Sequence, residues 1–73
     1  MTTKDFLEMF EMPTTSQDIQ ELEVIDSAHC CDCFYKSDTY KVWVCRVEGG
    51  VSIESLVNGQ WVTISGNCSE VLY

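Results

Sequence analysis

Five cysteines and one histidine carry the metal- and redox-type chemistry of this chain. Three of the cysteines crowd into His29-Cys30-Cys31-Asp32-Cys33, and Cys45 and Cys68 follow. Cys30-x-x-Cys33 has the spacing of half a zinc site. Cys45 and Cys68 complete a four-sulfur set with it, or His29 replaces one of the sulfurs. Two features weigh against that set. There is no second C-x-x-C, and on a strand Cys31 and Cys33 share a face with His29 while Cys30 points the other way. Nothing in Ala28–Cys33 supplies the Gly or Pro of a metal-binding turn. Free cysteine is among the most buried residue types, so the favoured reading is compact apolar packing. Structural zinc at Cys30, Cys33, Cys45 and Cys68 is the alternative. A thiol redox sensor using Cys30 and Cys33 is a second alternative, although a redox C-x-x-C normally opens a helix in a βαβ context.

The same accounting bears on catalysis. His29 stands directly before Cys30, a poor position from which to activate it. There is no G-x-S-x-G, no P-loop and no G-x-G-x-x-G. Acids are plentiful, but paired carboxylates need a cleft that desolvates one of them. The chain is read as non-enzymatic, with no catalytic residues and no required cofactor.

The cysteines must be positioned by a sheet. Asn58-Gly59 is the strongest local signal, because a type I′ turn needs positive φ at both central residues. It joins Val51–Val57 to Gln60–Ser65. Glu48-Gly49-Gly50 turns Tyr40–Val47 into the first of these, and Lys36-Ser37-Asp38-Thr39 joins it to a further strand, Ala28–Lys36. Upstream, Thr3–Glu11 reads as an amphipathic helix with Phe6, Met9 and Phe10 on one stripe, capped by Thr2 or Thr3 and ended by Pro13. A second short helix is expected from Ser16 to about Glu23, behind the box-like Thr15-x-x-Asp18. The competing reading begins a strand at Leu22–Ser27. The expected fold is α+β, one small domain of residues 1–73: a four-stranded antiparallel meander with one or two short N-terminal helices. Its expected core is Phe6, Phe10, Leu22, Val42, Val44, Ile53 and Ile64, with at least one of Trp43 and Trp61 partly buried.

Charge is distributed one-sidedly. Twelve acids oppose four bases, a net charge of −8. Residues 1–32 hold eight acids and one base, against four acids and three bases in residues 33–73. Direct nucleic-acid binding is disfavoured, because phosphate contacts need Lys and Arg. No apolar run approaches the ~20 residues of a membrane span. The opening segment carries three acids and no continuous apolar stretch, unlike a secretory signal. The expected location is cytoplasmic and reducing, that of the host cell if the chain is phage-encoded.

Between Asp5 and Asp32 lie eight acids and no base: Asp5, Glu8, Glu11, Asp18, Glu21, Glu23, Asp26 and Asp32. Solubilising surfaces usually mix both signs, whereas a one-signed field attracts a basic partner. In size, acidity and the pairing of short helices with a small sheet, the chain resembles the small inhibitors that phages and mobile elements encode, such as nucleic-acid mimics, anti-restriction proteins and anti-CRISPR proteins. The likeness implies a binding protein that occupies a basic, nucleic-acid-handling surface of a host protein through those acids. Phe34, Tyr35, Tyr40 and Tyr73 are expected as secondary contacts. The alternative is a zinc-stabilised or homodimeric interaction module, paired through a sheet edge or exposed aromatics.

Overall fold

A computed structural model describes every residue from Met1 to Tyr73. Two short helices, α1 (Thr3–Met9) and α2 (Ser16–Gln20), precede five strands: β1 (Asp26–Ser27), β2 (Cys31–Lys36), β3 (Tyr40–Cys45), β4 (Val51–Val57) and β5 (Gln60–Gly66). The strands form one antiparallel sheet in sequence order. The α+β class and the meander match expectation, but the sheet has five strands rather than four. The added strand is β1, where Asp26 and Ser27 pair with Cys33 and Asp32. Only these two residues of the alternative Leu22–Ser27 strand join the sheet.

Local chemistry explains where the helices begin and end. Thr2 caps α1 in a reciprocal box with Asp5, each accepting a backbone N–H from the other. These bonds hold the Asp5 carboxyl below its usual pKa. The helix stops two residues short of the expected Glu11, because Glu11 adopts a left-handed φ of 58° and Met12 N–H closes back on the Leu7 carbonyl. Thr15 caps α2 by accepting the Asp18 N–H. That helix ends at Gln20, short of the expected Glu23.

The core lies between the helices and one face of the sheet. Leu7 and Ile19 descend onto Val42 and Val44 of β3 and Val51 and Ile53 of β4, with Phe34 and Leu72 at the sides. Phe10 stacks on Tyr35 at 4.9 Å and tilts against Tyr40 at 5.1 Å, which ties α1 to β2 and β3. Val42, Val44 and Ile53 are buried as expected, and Phe6 and Phe10 are half-buried against them. Two expectations fail. Leu22 is 40% exposed because it lies beyond the last turn of α2, and Ile64 is 42% exposed because it sits at a bulge on an edge strand. Trp43 and Trp61 are both half-buried, on the face that the helices do not cover.

The β4–β5 turn has φ of 50° at Asn58 and 79° at Gly59, as a type I′ turn requires. A Cβ at Gly59 would meet nothing within 4 Å, so a substitution there is opposed by backbone strain alone. Gly59→Val is expected to cost about 1–2 kcal/mol. Thermal melting measures this, and an unchanged Tm would contradict the strain argument.

Candidate metal centre

Four cysteines meet at one end of the sheet. Cys31 opens β2 and Cys45 closes β3, and the two are directly paired across the ladder, so their side chains share a face. The pairing depends on a bulge between Cys33 and Tyr35. At the turn end the register runs Lys36–Lys41 and Tyr35–Val42, and continued without a break it would set Asp32 opposite Cys45. The extra residue, Phe34, shifts the register by one and brings Cys31 there instead. Cys30 precedes the strand, in a bend, and so escapes the alternation that would turn it to the opposite face.

Cys68 arrives from the C-terminal segment. Gly50 N–H donates to the Cys68 carbonyl at 2.7 Å, and Val51 N–H to the Glu70 carbonyl at 3.1 Å. Gly50 makes this approach possible, since a Cβ there would stand 2.1 Å from the Cys68 carbonyl oxygen. The tail is fixed further along by Ser16, whose N–H donates to the Leu72 carbonyl while its Oγ accepts the Leu72 N–H, both at 2.9 Å.

The result is a set of four thiol sulfurs, from Cys30, Cys31, Cys45 and Cys68, all within 4.8 Å of one another. All are free thiols, and the Cys30 and Cys31 sulfurs lie 3.5 Å apart. The Glu48 N–H donates to the Cys45 sulfur at 3.4 Å, and this bond chiefly holds the Cys45 thiol below its ordinary pKa. Burial pushes the Cys31 thiol up to about 12, helped by its bond with Cys30 and by the other thiols nearby. The Cys68 thiol is also raised, first by its bond with Cys45. Thiols this close repel one another when ionised, so the cluster resists carrying several negative charges unless a cation joins it.

Arg46 braces the loop that presents Cys30 and Cys31. Its guanidinium donates to the carbonyls of Ala28 (2.9 Å), His29 (2.8 Å) and Cys31 (3.0 Å) and to the Asp32 carboxylate at 2.5 Å. Its backbone N–H donates to the Cys30 carbonyl at 2.9 Å.

The sequence-expected residues distribute differently. Cys33, expected in the zinc set and in the redox pair with Cys30, stands outside the cluster. It lies two residues along β2 from Cys31, about 6.6 Å of strand. Its thiol is fully buried, donates to the Tyr35 carbonyl at 3.1 Å, and has its pKa raised by that burial. Cys31, passed over in the expected set, takes its place. His29 is exposed and lies outside the four-sulfur set.

Among the expected contact residues, Asp5, Glu8, Glu11, Asp18, Glu21, Glu23 and Asp26 are exposed. Asp32 is half-buried and paired with Arg46. Phe34 belongs to the core, and Tyr35 and Tyr40 pack beneath α1, so these three are occupied internally. Tyr73 is 91% exposed. No helix is long and apolar enough to cross a membrane. No family model, curated protein or solved structure matches the chain.

The Gly50–Cys68 contact gives a direct test of how the cluster is assembled. Gly50→Ala forces a methyl against backbone that cannot swing aside. It is expected to destabilise the fold by about 1–3 kcal/mol and to expose Cys68. Melting and the rate of thiol labelling at Cys68 measure this. Unchanged values for both would show that the contact does not place the fourth sulfur.

Proposed function

We propose that the chain is a small, non-enzymatic interaction module whose sheet is fastened by a zinc ion at Cys30, Cys31, Cys45 and Cys68, and which presents an acidic helix layer to a basic partner. The observation that carries this reading is the convergence of four sulfurs from three separate segments within 4.8 Å. Tetrahedral zinc with Zn–S of about 2.3 Å needs sulfurs about 3.8 Å apart, a small adjustment from the arrangement present. Soft thiolates select zinc or iron over hard cations. Four protein ligands leave no open position, which is the pattern of a structural site rather than a catalytic one. Four thiolates and a divalent ion carry a net −2. The adjacent Arg46 guanidinium and the Glu48 N–H offset part of that charge.

The acidic component rests on a second observation. Seven acids between Asp5 and Asp26 are exposed, and the ion pair the fold does form, Arg46–Asp32, is not among them. These acids follow the outer side of α1, α2 and the segment after them. The partner is a basic protein surface, of the kind that handles nucleic acid, and the chain acts as an inhibitor by occupying it.

Protein purified without chelator is expected to carry one zinc per chain, and cobalt substitution should give the visible spectrum of a tetrathiolate site. Cys31→Ser should lose the metal, whereas Cys33→Ala should keep it. Structural zinc sites contribute apparent binding energies of about 10–16 kcal/mol, so chelation should unfold much of the domain. Protein without stoichiometric metal refutes the centre. Metal retained in Cys31→Ser but lost in Cys33→Ala refutes this ligand set.

The acidic surface is tested by association with the partner. Binding should weaken steeply with salt, as the Debye length falls from ~10 Å at 0.1 M to ~3 Å at 1 M. Glu8→Lys with Glu11→Lys, or Asp18→Lys with Glu21→Lys, should slow association and leave the fold intact. The protein should displace DNA or RNA from that partner at stoichiometric amounts. A partner that binds nucleic acid equally well with the protein attached would rule out the inhibitory reading.

A further inference from the structure

The two edges of the sheet are unlike. At one edge, β1 is two residues long and carries the charge of Asp26. Short, charged edge strands resist pairing with another chain. At the other edge, β5 runs for seven residues, Gln60–Gly66, and contains no charged residue. Val62 and Ile64 expose 44% and 42% of their surfaces there. The hairpin closes at Val57–Gln60, so hydrogen-bonded and non-bonded pairs alternate from that point as far as the bulge at Ile64. Leu56–Trp61 and Glu54–Thr63 fall in the non-bonded class, which aims the N–H and C=O of Trp61 and Thr63 outward from the sheet. A row of outward backbone groups on a long neutral strand is a template for one more strand.

We propose that this edge is a homodimer interface, in which β5 of a second copy adds antiparallel to β5 and joins the two meanders into one ten-stranded sheet. The occupant follows from the chemistry of the edge. A basic segment would seek the exposed acids of the helix layer and β1; the acid nearest the edge, Glu54 opposite Thr63, accepts the Trp43 indole N–H, and β5 itself offers no charge. A second copy brings a strand equally free of charge, so the excess of acids on each chain does not meet itself across the contact. The outward residues also fix the register. A two-fold axis at Thr63 makes Thr63 a hydrogen-bonded pair with its own copy, a favourable cross-strand combination, and sets Val62 of each copy opposite Ile64 of the other. The two half-exposed apolar residues of the strand then cover each other. The interface lies at the opposite edge from β1 and is independent of the metal reading.

Sedimentation equilibrium on the full chain, as purified, measures the association. The expected mass is twice 8.3 kDa, with amide exchange at Trp61 and Thr63 slowed in the dimer. Ile64→Lys places a charge against Val62 of the other copy and should weaken association at least about tenfold. Thr63→Pro removes the outward N–H without touching the ladder to β4 and should give a monomer. Circular dichroism checks that each variant is folded, and either folded variant suffices for the test. A wild-type chain that stays monomeric at every concentration overturns the proposal. So does a dimer that persists in both folded variants, because its interface then lies elsewhere.

Discussion

The bulge at Phe34 governs more of this structure than any other single feature. A strand places alternate residues on opposite faces, so one inserted residue exchanges the faces of everything beyond it. On the turn side of the bulge, Tyr35 pairs with Val42 and lies beneath α1. Phe34 itself joins the core. Beyond it, Cys33 and Cys31 fall on the face away from the helices, with Trp43 and Cys45. Were Phe34 paired regularly, opposite Trp43, Asp32 would face Cys45 and the sulfur set would lack a member. Core and thiol cluster therefore depend on the same local irregularity.

This dependence marks the limit of what the sequence made legible. The Asn58-Gly59 turn, the strands it joins and the Val42, Val44 and Ile53 face could all be read, because turn chemistry and period-two alternation are local. The caps at Thr2 and Thr15 were readable for the same reason. The register of β2 on β3 was not, because Phe34 carries no mark of a bulge: it is neither Gly nor flanked by one. Strict alternation across Ala28–Lys36 set Cys31 and Cys33 on one face, as they are, but set Cys30 apart, because the strand begins only at Cys31. Counting back from the turn would have paired Cys45 with Asp32. The convergence of Cys68 was equally hidden, although Gly50 could have hinted at a close backbone approach. Leu22 and Ile64 were misjudged because periodicity says which residues share a face and not how far the opposing layer extends.

A chain of 73 residues has little core to spend on cross-links between its segments. The helices cover one face of the sheet, and most of the fully buried side chains lie in that layer. On the other face Cys33 and Cys45 are buried, but Trp43 and Trp61 remain half-exposed. The Lys41 ammonium lies 4.3 Å from the Trp61 ring centre and 5.7 Å from that of Trp43, and the Trp43 indole N–H donates to Glu54 at 2.6 Å. That face carries polar and cation–π contacts along its length and the four thiols at its end.

The position of the sulfurs answers a particular weakness. Every residue from Glu21 to His29 is exposed, as are Arg46 to Glu48 and most of Asn67 to Glu70. These three stretches bury almost nothing apolar, so the hydrophobic effect gives them little reason to stay in place. They are also the stretches that border the four thiols: the first leads into Cys30 and Cys31, the second follows Cys45, and the third contains Cys68. Arg46 already ties the first to the second through five hydrogen-bond acceptors, and Gly50 ties the second to the third. A single ion shared by the four sulfurs would close the remaining triangle at one point. The core orders the middle of the sheet and the helix layer, and an ion at the thiol end would order the loops that the core does not reach.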